Sequence, residues 1–234
     1  MTLQEMIGKR KSCRSYTGVP VDAAILEKIK AFSMKPLDPE IKVHWEIVER
    51  KQVKCICPWT TPQLIAIYSE KKEGYLENAG FLFQQMDLYL QSLGLGACWL
   101  GMGKMHSKTA PDVPGMEFVI LLAFGNPEGE HLRSDLAAFK RKGLEQISDS
   151  LDTRLESARL APSSVNSQPW YFTHEEDALH VYCAKNSMLA FMNRIDMGIA
   201  LAHLYLTNEQ NFRFFREENP PVLQGYDYIG SICL

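Results

Sequence analysis

Three segments of this 234-residue chain concentrate side chains that could do chemistry. In "GKRKSCRSY" (8–16), Arg10, Lys11, Ser12 and Arg14 put three cations and a hydroxyl within five residues. A guanidinium forks two donors onto a phosphate and a serine hydroxyl adds a compact third, so the run suits a phosphomonoester cradle. A short basic run is just as readily a solvated turn. In "LGLGACWLGMG" (93–103), Gly101 and Gly103 let the backbone beyond Trp99 approach a flat ligand, where an amide hydrogen could donate to a ring acceptor. A helical pattern precedes these glycines, whereas the dinucleotide fingerprint needs a strand there, so that motif is rejected. In "LAPSSVNSQPWYF" (160–172), two prolines stiffen a loop whose Ser163, Ser164, Asn166 and Gln168 offer donors and acceptors. On residue type alone it is also an ordinary helix-to-strand connector.

The elements that must position these segments follow from apolar periodicity. "YLENAGFLFQQMDLYLQSLG" and "MNRIDMGIALAHLYLTNEQ" carry apolar residues at three- and four-residue steps over a broad arc, which predicts two long, deeply buried helices. Each holds a small residue, Gly80 or Gly198, where another backbone can approach. Gly94 is a natural stop for the first. Shorter helices are expected from Asp22 to Phe32 and from Ser150 to Leu160, each opening on a capping residue type. Strands are expected at Ile41–Glu49, Gln63–Glu70, Phe118–Gly125, Ala178–Ala184 and in the terminal "YDYIGSICL". Helices and strands mix without strict alternation, which favours an α+β fold. The order then repeats: helix, Trp-bearing strand, second strand, long Gly-containing helix, final strand. Trp45 corresponds to Trp170 and Gly80 to Gly198, and the expected halves are 1–148 and 149–234, packed as one compact domain.

Composition narrows the partners. Hydrophobic residues at 46% and charged residues at 23% suit a globular core, and a net charge of −3 provides no footprint for nucleic acid. With no apolar run of membrane-spanning length and no signal-peptide core, a cytoplasmic chain without a membrane partner is expected. The six cysteines are too scattered for a disulfide scaffold. Cys55 and Cys57 lack a second pair at zinc spacing, so strand alternation is the better account of them and no metal site is expected.

Taken together, RKSCRSY, ENAG…GLGACWLG, FGNPEG, FKRKGLEQI and APSSVNSQPW resemble the FMN-dependent nitroreductase family over nearly the whole chain. The order departs from the family pattern, because APSSVNSQPW comes last instead of second. The resemblance implies a homodimer with each FMN held by groups from both subunits. Here the first half carries the cradle and the second the Pro-Ser-Ser-x-Asn loop. The chain is therefore read as a single-chain pseudo-dimer of two shortened nitroreductase halves, with a nitroreductase-like fold and a monomer expected.

By the same resemblance, Arg10, Lys11 and Ser12, with Lys140 and Arg141, bind the FMN phosphate, and Arg14 lies near N1 and O2 of the flavin. Trp99 is among the cofactor-binding residues, the backbone of Leu100 and Gly101 meets N5, and Pro162, Ser163, Ser164 and Asn166 line the isoalloxazine. No side chain is implied as acid or base. A second pseudo-site would lack at least two charge-assisted phosphate contacts, about 3–6 kcal/mol, so one FMN per chain is expected. The implied activity is hydride transfer from NAD(P)H through FMN to a small electron-poor acceptor such as a nitroaromatic or quinone. The alternative is a flavin-storing or flavin-sensing protein with vestigial redox activity.

Overall fold

The computed structural model describes residues 1–57, 59, 61–108 and 110–234. The chain forms two compact units, 1–75 with 85–136 and 76–84 with 137–234. No helix among the described residues is long and apolar enough to cross a membrane.

The first unit opens with α1 (Leu3–Ile7), capped by a reciprocal Thr2–Glu5 box, and α2 (Ala23–Ala31), whose N-cap Asp22 accepts from Ala24 N at 2.8 Å. β1 (Val43–Glu49), β2 (Val53–Lys54) and β3 (Gln63–Ser69) follow. The long helix α3 (Tyr75–Ser92) contributes 76–84 to the second unit and its last turns to the first. Beyond the left-handed Gly94 (φ 84°) come β4 (Gly96–Leu100), β5 (Lys104–Met105) and β6 (Glu117–Gly125). Four of these strands make an antiparallel sheet in the order β1-β3-β6-β4, while β2 and β5 pair separately. Leu64, Ala66 and Tyr68 alternate onto one face of the central strand β3, where they pack with Val48, Val53, Leu100, Leu121 and Ala123.

In the second unit, α4 (Glu156–Arg159) leads through the loop at 160–169 to β7 (Trp170–Glu175) and β8 (Ala178–Ala184). Helix α5 (Ala190–Thr207), β9 (Arg213–Phe215) and β10 (Tyr226–Cys233) complete it. The sheet order is β7-β8-β10-β9, all antiparallel. Counting each four-stranded sheet by itself, both run first-second-fourth-third, and both insert an 18-residue helix between second and third strands.

The expected strands and long helices form with shifts of a few residues at most. Three local expectations are corrected. The stretch 96–100 is a strand, not only a glycine turn after a helix, because its amides and carbonyls pair with β6 from Gly96↔Gly125 to Leu100↔Leu121. Cys55 and Cys57 lie beyond the two-residue β2, so strand alternation does not explain them; the Cys57 amide instead donates to Cys55 Sγ at 3.2 Å. The helix expected from Ser150 starts later, where Asp152 caps a single 3₁₀ turn by accepting from Arg154 N.

Candidate functional site

The first unit pins the basic N-terminal segment onto β4 through the main chain. Ser12 bridges Ala97, the Cys13 amide donates to Ala97 O at 2.9 Å, and the Tyr16 hydroxyl donates back to Cys13 O at 2.9 Å. Gly96 permits this approach, since a Cβ there would collide with the Cys13 side chain. Two of the three polar segments thus lie side by side in one unit.

The four candidate donors of that segment, Arg10, Lys11, Ser12 and Arg14, are not equivalent. Arg10 is 1% exposed, and its Nε lies 2.9 Å from the fully buried Asp87 Oδ2, a charge contact without an aligned donor bond. Its Nη2 is 3.4 Å from Ser12 Oγ, and Arg133 donates to its carbonyl. Gln91, one turn beyond Asp87, donates to Asp87 Oδ1 and accepts from the Lys11 amide, both at 3.0 Å. Lys11 and Arg14 stay exposed, and Ser12 is half-buried. Of these three cations, Lys11 and Arg14 keep their charge towards solvent, while Arg10 is largely answered by Asp87.

The thiols nearby are poor nucleophiles. Burial pushes Cys98 up against the opposing pull of Arg14 and Arg10. Burial, then the hydrogen bond with Cys55, holds Cys57 up at about 11 although Arg14 pulls it down. Burial likewise raises the Tyr16 phenol. All three groups stay protonated near neutral pH, so this site does not favour thiolate chemistry.

The second unit brings the other two expected groups together. Arg141 Nε donates to Ala161 O at 3.0 Å and its Nη1 to Asn166 Oδ1 at 2.6 Å, while Asn166 Nδ2 donates to Lys140 O at 2.9 Å. The Lys142 amide donates to Gln168 Oε1 at 2.7 Å and its ammonium to Gln168 O at 2.9 Å. Ser163 Oγ accepts from Gln168 N at 2.9 Å, and the Ser164 amide donates to Asp196 Oδ2 at 3.0 Å. This web holds Val165, Asn166 and Gln168 at φ of 47°, 58° and 48°, a left-handed backbone that costs non-glycine residues free energy. Trp170, 1% exposed, anchors the end of the loop, whose form is set by its neighbours.

Asp87, Gln91, Arg133 and Asp196 belong to none of the three polar segments. The first two did leave a signal, a polar pair at i, i+4 on the apolar arc of a long helix, which needs a polar partner once buried. Asp196 was hidden among apolar neighbours.

A family model described as "Putative TM nitroreductase" matches residues 2–208 of the chain. Among solved structures, the chain is similar to a "putative nitroreductase" from Thermotoga maritima MSB8, with 22% identity and a TM-score of 0.67 over 100% of this chain and 93% of that one. That likeness shows a nitroreductase-like α+β fold. A nitroreductase family protein from Clostridium difficile 630 aligns at 18% identity and a TM-score of 0.48, covering 63% of this chain and 96% of that one. An FMN-dependent nitroreductase from Clostridium difficile R20291 aligns at 18% identity and 0.45, covering 58% and 93%. No curated protein matches.

Proposed function

The chain belongs to the nitroreductase family described as "Putative TM nitroreductase", and from that premise we propose that it is an FMN-dependent oxidoreductase fed by NAD(P)H. One observation carries the reading furthest. The Ser12–Ala97 bridge and the Cys13–Ala97 hydrogen bond tie the segment bearing the phosphate-type donors to β4, the strand that carries Trp99 and Leu100, and this supports the reading.

The donor chemistry fits a flavin mononucleotide. Exposed Lys11 and Arg14 offer two cations to a phosphate dianion, and the Ser12 hydroxyl adds a neutral donor. Arg10 acts mainly through Ser12: its guanidinium faces Ser12 Oγ and helps to orient the hydroxyl. Trp99, Leu100 and Gly101 supply ring contacts. In the second unit, Pro162, Ser163, Ser164 and Asn166 are proposed as cofactor contacts on a loop whose shape is already set, together with Lys140 and Arg141, which are bonded to it. Bound FMN would supply a two-electron relay from NAD(P)H to a small electron-poor acceptor such as a nitroaromatic or quinone.

Anaerobic mixing of purified, flavin-loaded protein with NADPH or NADH is the direct test. Bleaching of the flavin absorbance within minutes is expected, with reoxidation on adding a quinone. A flavin that dithionite reduces but neither nucleotide does would mean a binding protein instead. Ser12→Ala and Asn166→Ala are each expected to weaken FMN binding about tenfold or more. Unchanged affinity in either would remove that residue from the site.

A further inference from the structure

We infer that the first unit carries a cationic pocket for the phosphate-bearing end of the nicotinamide donor, and that this pocket makes the protein prefer NADPH to NADH. The inference rests on the oxidoreductase reading and names the substrate class of that same site.

A cavity of about 390 Å³ is lined by Arg50, Lys54 and Lys104 together with Val53, Cys55, Ile56 and Met102, and among the described residues no acidic side chain lines it. The register of the β2–β5 ribbon creates it. Val53 pairs with Met105 and Lys54 with Lys104. Side chains alternate across a strand, so the apolar pair turns to the core, where Val53 is buried and Met105 packs beside it. The two lysines are thereby sent together to the opposite face. Like charges directly opposite on a ribbon destabilise it. Arg50 joins them, its Nη1 held by Val53 O at 2.6 Å. Among the described residues, none of these three cations has a carboxylate partner. A bound anion would relieve the repulsion.

Two further features indicate what kind of anion. Ile56 and Met102 are 81% and 62% exposed at the cavity, an apolar surface suited to the flat face of a base. Met102 directly follows Leu100 and Gly101, in a turn closed by the Gly103 amide donating to Leu100 O at 3.2 Å. The Cys55–Cys57 segment lies close enough to Arg14 for that cation to act on the Cys57 thiol. The pocket thus adjoins the stretch proposed to meet the flavin, where a hydride donor must be held. A nucleotide bearing an additional phosphate monoester matches three cations and an apolar shelf better than one carrying only a diphosphate.

The test is a calorimetric titration of the full chain with adenosine 2′,5′-bisphosphate, adenosine 5′-monophosphate and inorganic phosphate. The bisphosphate is expected to bind about tenfold or more tightly than either, and to weaken as salt is raised. Lys54→Gln and Lys104→Gln, both exposed and remote from the core, should each reduce that affinity about tenfold. They should raise KM for NADPH several-fold more than KM for NADH, with Lys→Arg variants restoring binding. Equal binding of the two nucleotides, inorganic phosphate binding as tightly as the bisphosphate, or unaltered affinity in both Gln variants would overturn the inference. These readouts separate from the oxidoreductase reading. Loss of nucleotide preference with the flavin still reducible removes only the pocket. An irreducible flavin removes the activity, and the titration still decides whether the pocket binds phosphate.

Discussion

Asp196 shows how one buried side chain can tie the polar loop to pH. It is 2% exposed on α5, and burial pushes its carboxyl up to about 7 although the Ser164 amide, which donates to it, favours the charged form. In the unfolded chain the same group ionises near its ordinary value of about 3.8. Between these values the folded protein holds a proton that the unfolded chain has released. Stability from this group is therefore present at low pH and falls as pH rises from about 4 to about 7, by on the order of 4 kcal/mol. Asp196→Asn keeps an acceptor for the Ser164 amide and never ionises. Denaturant melts from pH 4 to 8 should show the variant gaining on the wild type across that window, and parallel curves would contradict the assignment. The Arg10–Asp87 pair shows another use of burial. Its two charges are spent on each other, so sequence proximity of Arg10 to Lys11, Ser12 and Arg14 overstates the positive charge available to a ligand.

Among the elements, the decisive contact is between α3 and α5 within the second unit. A Cβ added at Gly80 would run into the main chain of Ile195, and one at Gly198 into the main chain of Glu77. The helices are that close because neither residue has a side chain. Arg194 closes the same crossing on the buried Glu77, and Gln84 reaches His203 at 3.0 Å. The His203 ring is oriented by this arrangement: Nδ1 donates to Ser157 O at 2.9 Å, so Nε2 accepts from the Gln84 amide. Backbone cannot yield as a side-chain tip can. Gly198→Ala and Gly80→Ala are therefore expected to lower stability by at least about 2 kcal/mol each in urea melts, despite alanine's better helix propensity. A neutral or stabilising result would mean the helices are farther apart than they stand here. The i, i+3 and i, i+4 pattern foretold both helices and their small residues, since periodicity is a local property. Which backbone each glycine meets is set by the crossing, and no window of sequence contains it.

At the scale of the whole molecule, the two sheets share one topology, first-second-fourth-third with a long helix inserted at the same place. We read this as an internal duplication in which the copies have diverged chemically: the first keeps RKSCR and GLGACW, the second APSSVNSQPW. Duplication with divergence leads to one expected stoichiometry, a single FMN per polypeptide in a monomeric protein. Flavin absorbance against protein assay, with sedimentation for the mass, checks both; two flavins per chain would reject the reading of one intact site. The sequence by itself determined the α+β class, the long helices, most strands and the family, because these rest on periodicity, turn chemistry and short contiguous motifs. Only the tertiary structure decided that Arg10 is neutralised by Asp87, that the loop at 163–168 is held in its left-handed form by Arg141, Lys142 and Asp196, and that Lys54 faces Lys104. The physical reason is common to all three. Charge compensation, backbone strain and cross-strand register are set by residues brought together from distant positions, and their balance exists only once the chain has closed around them.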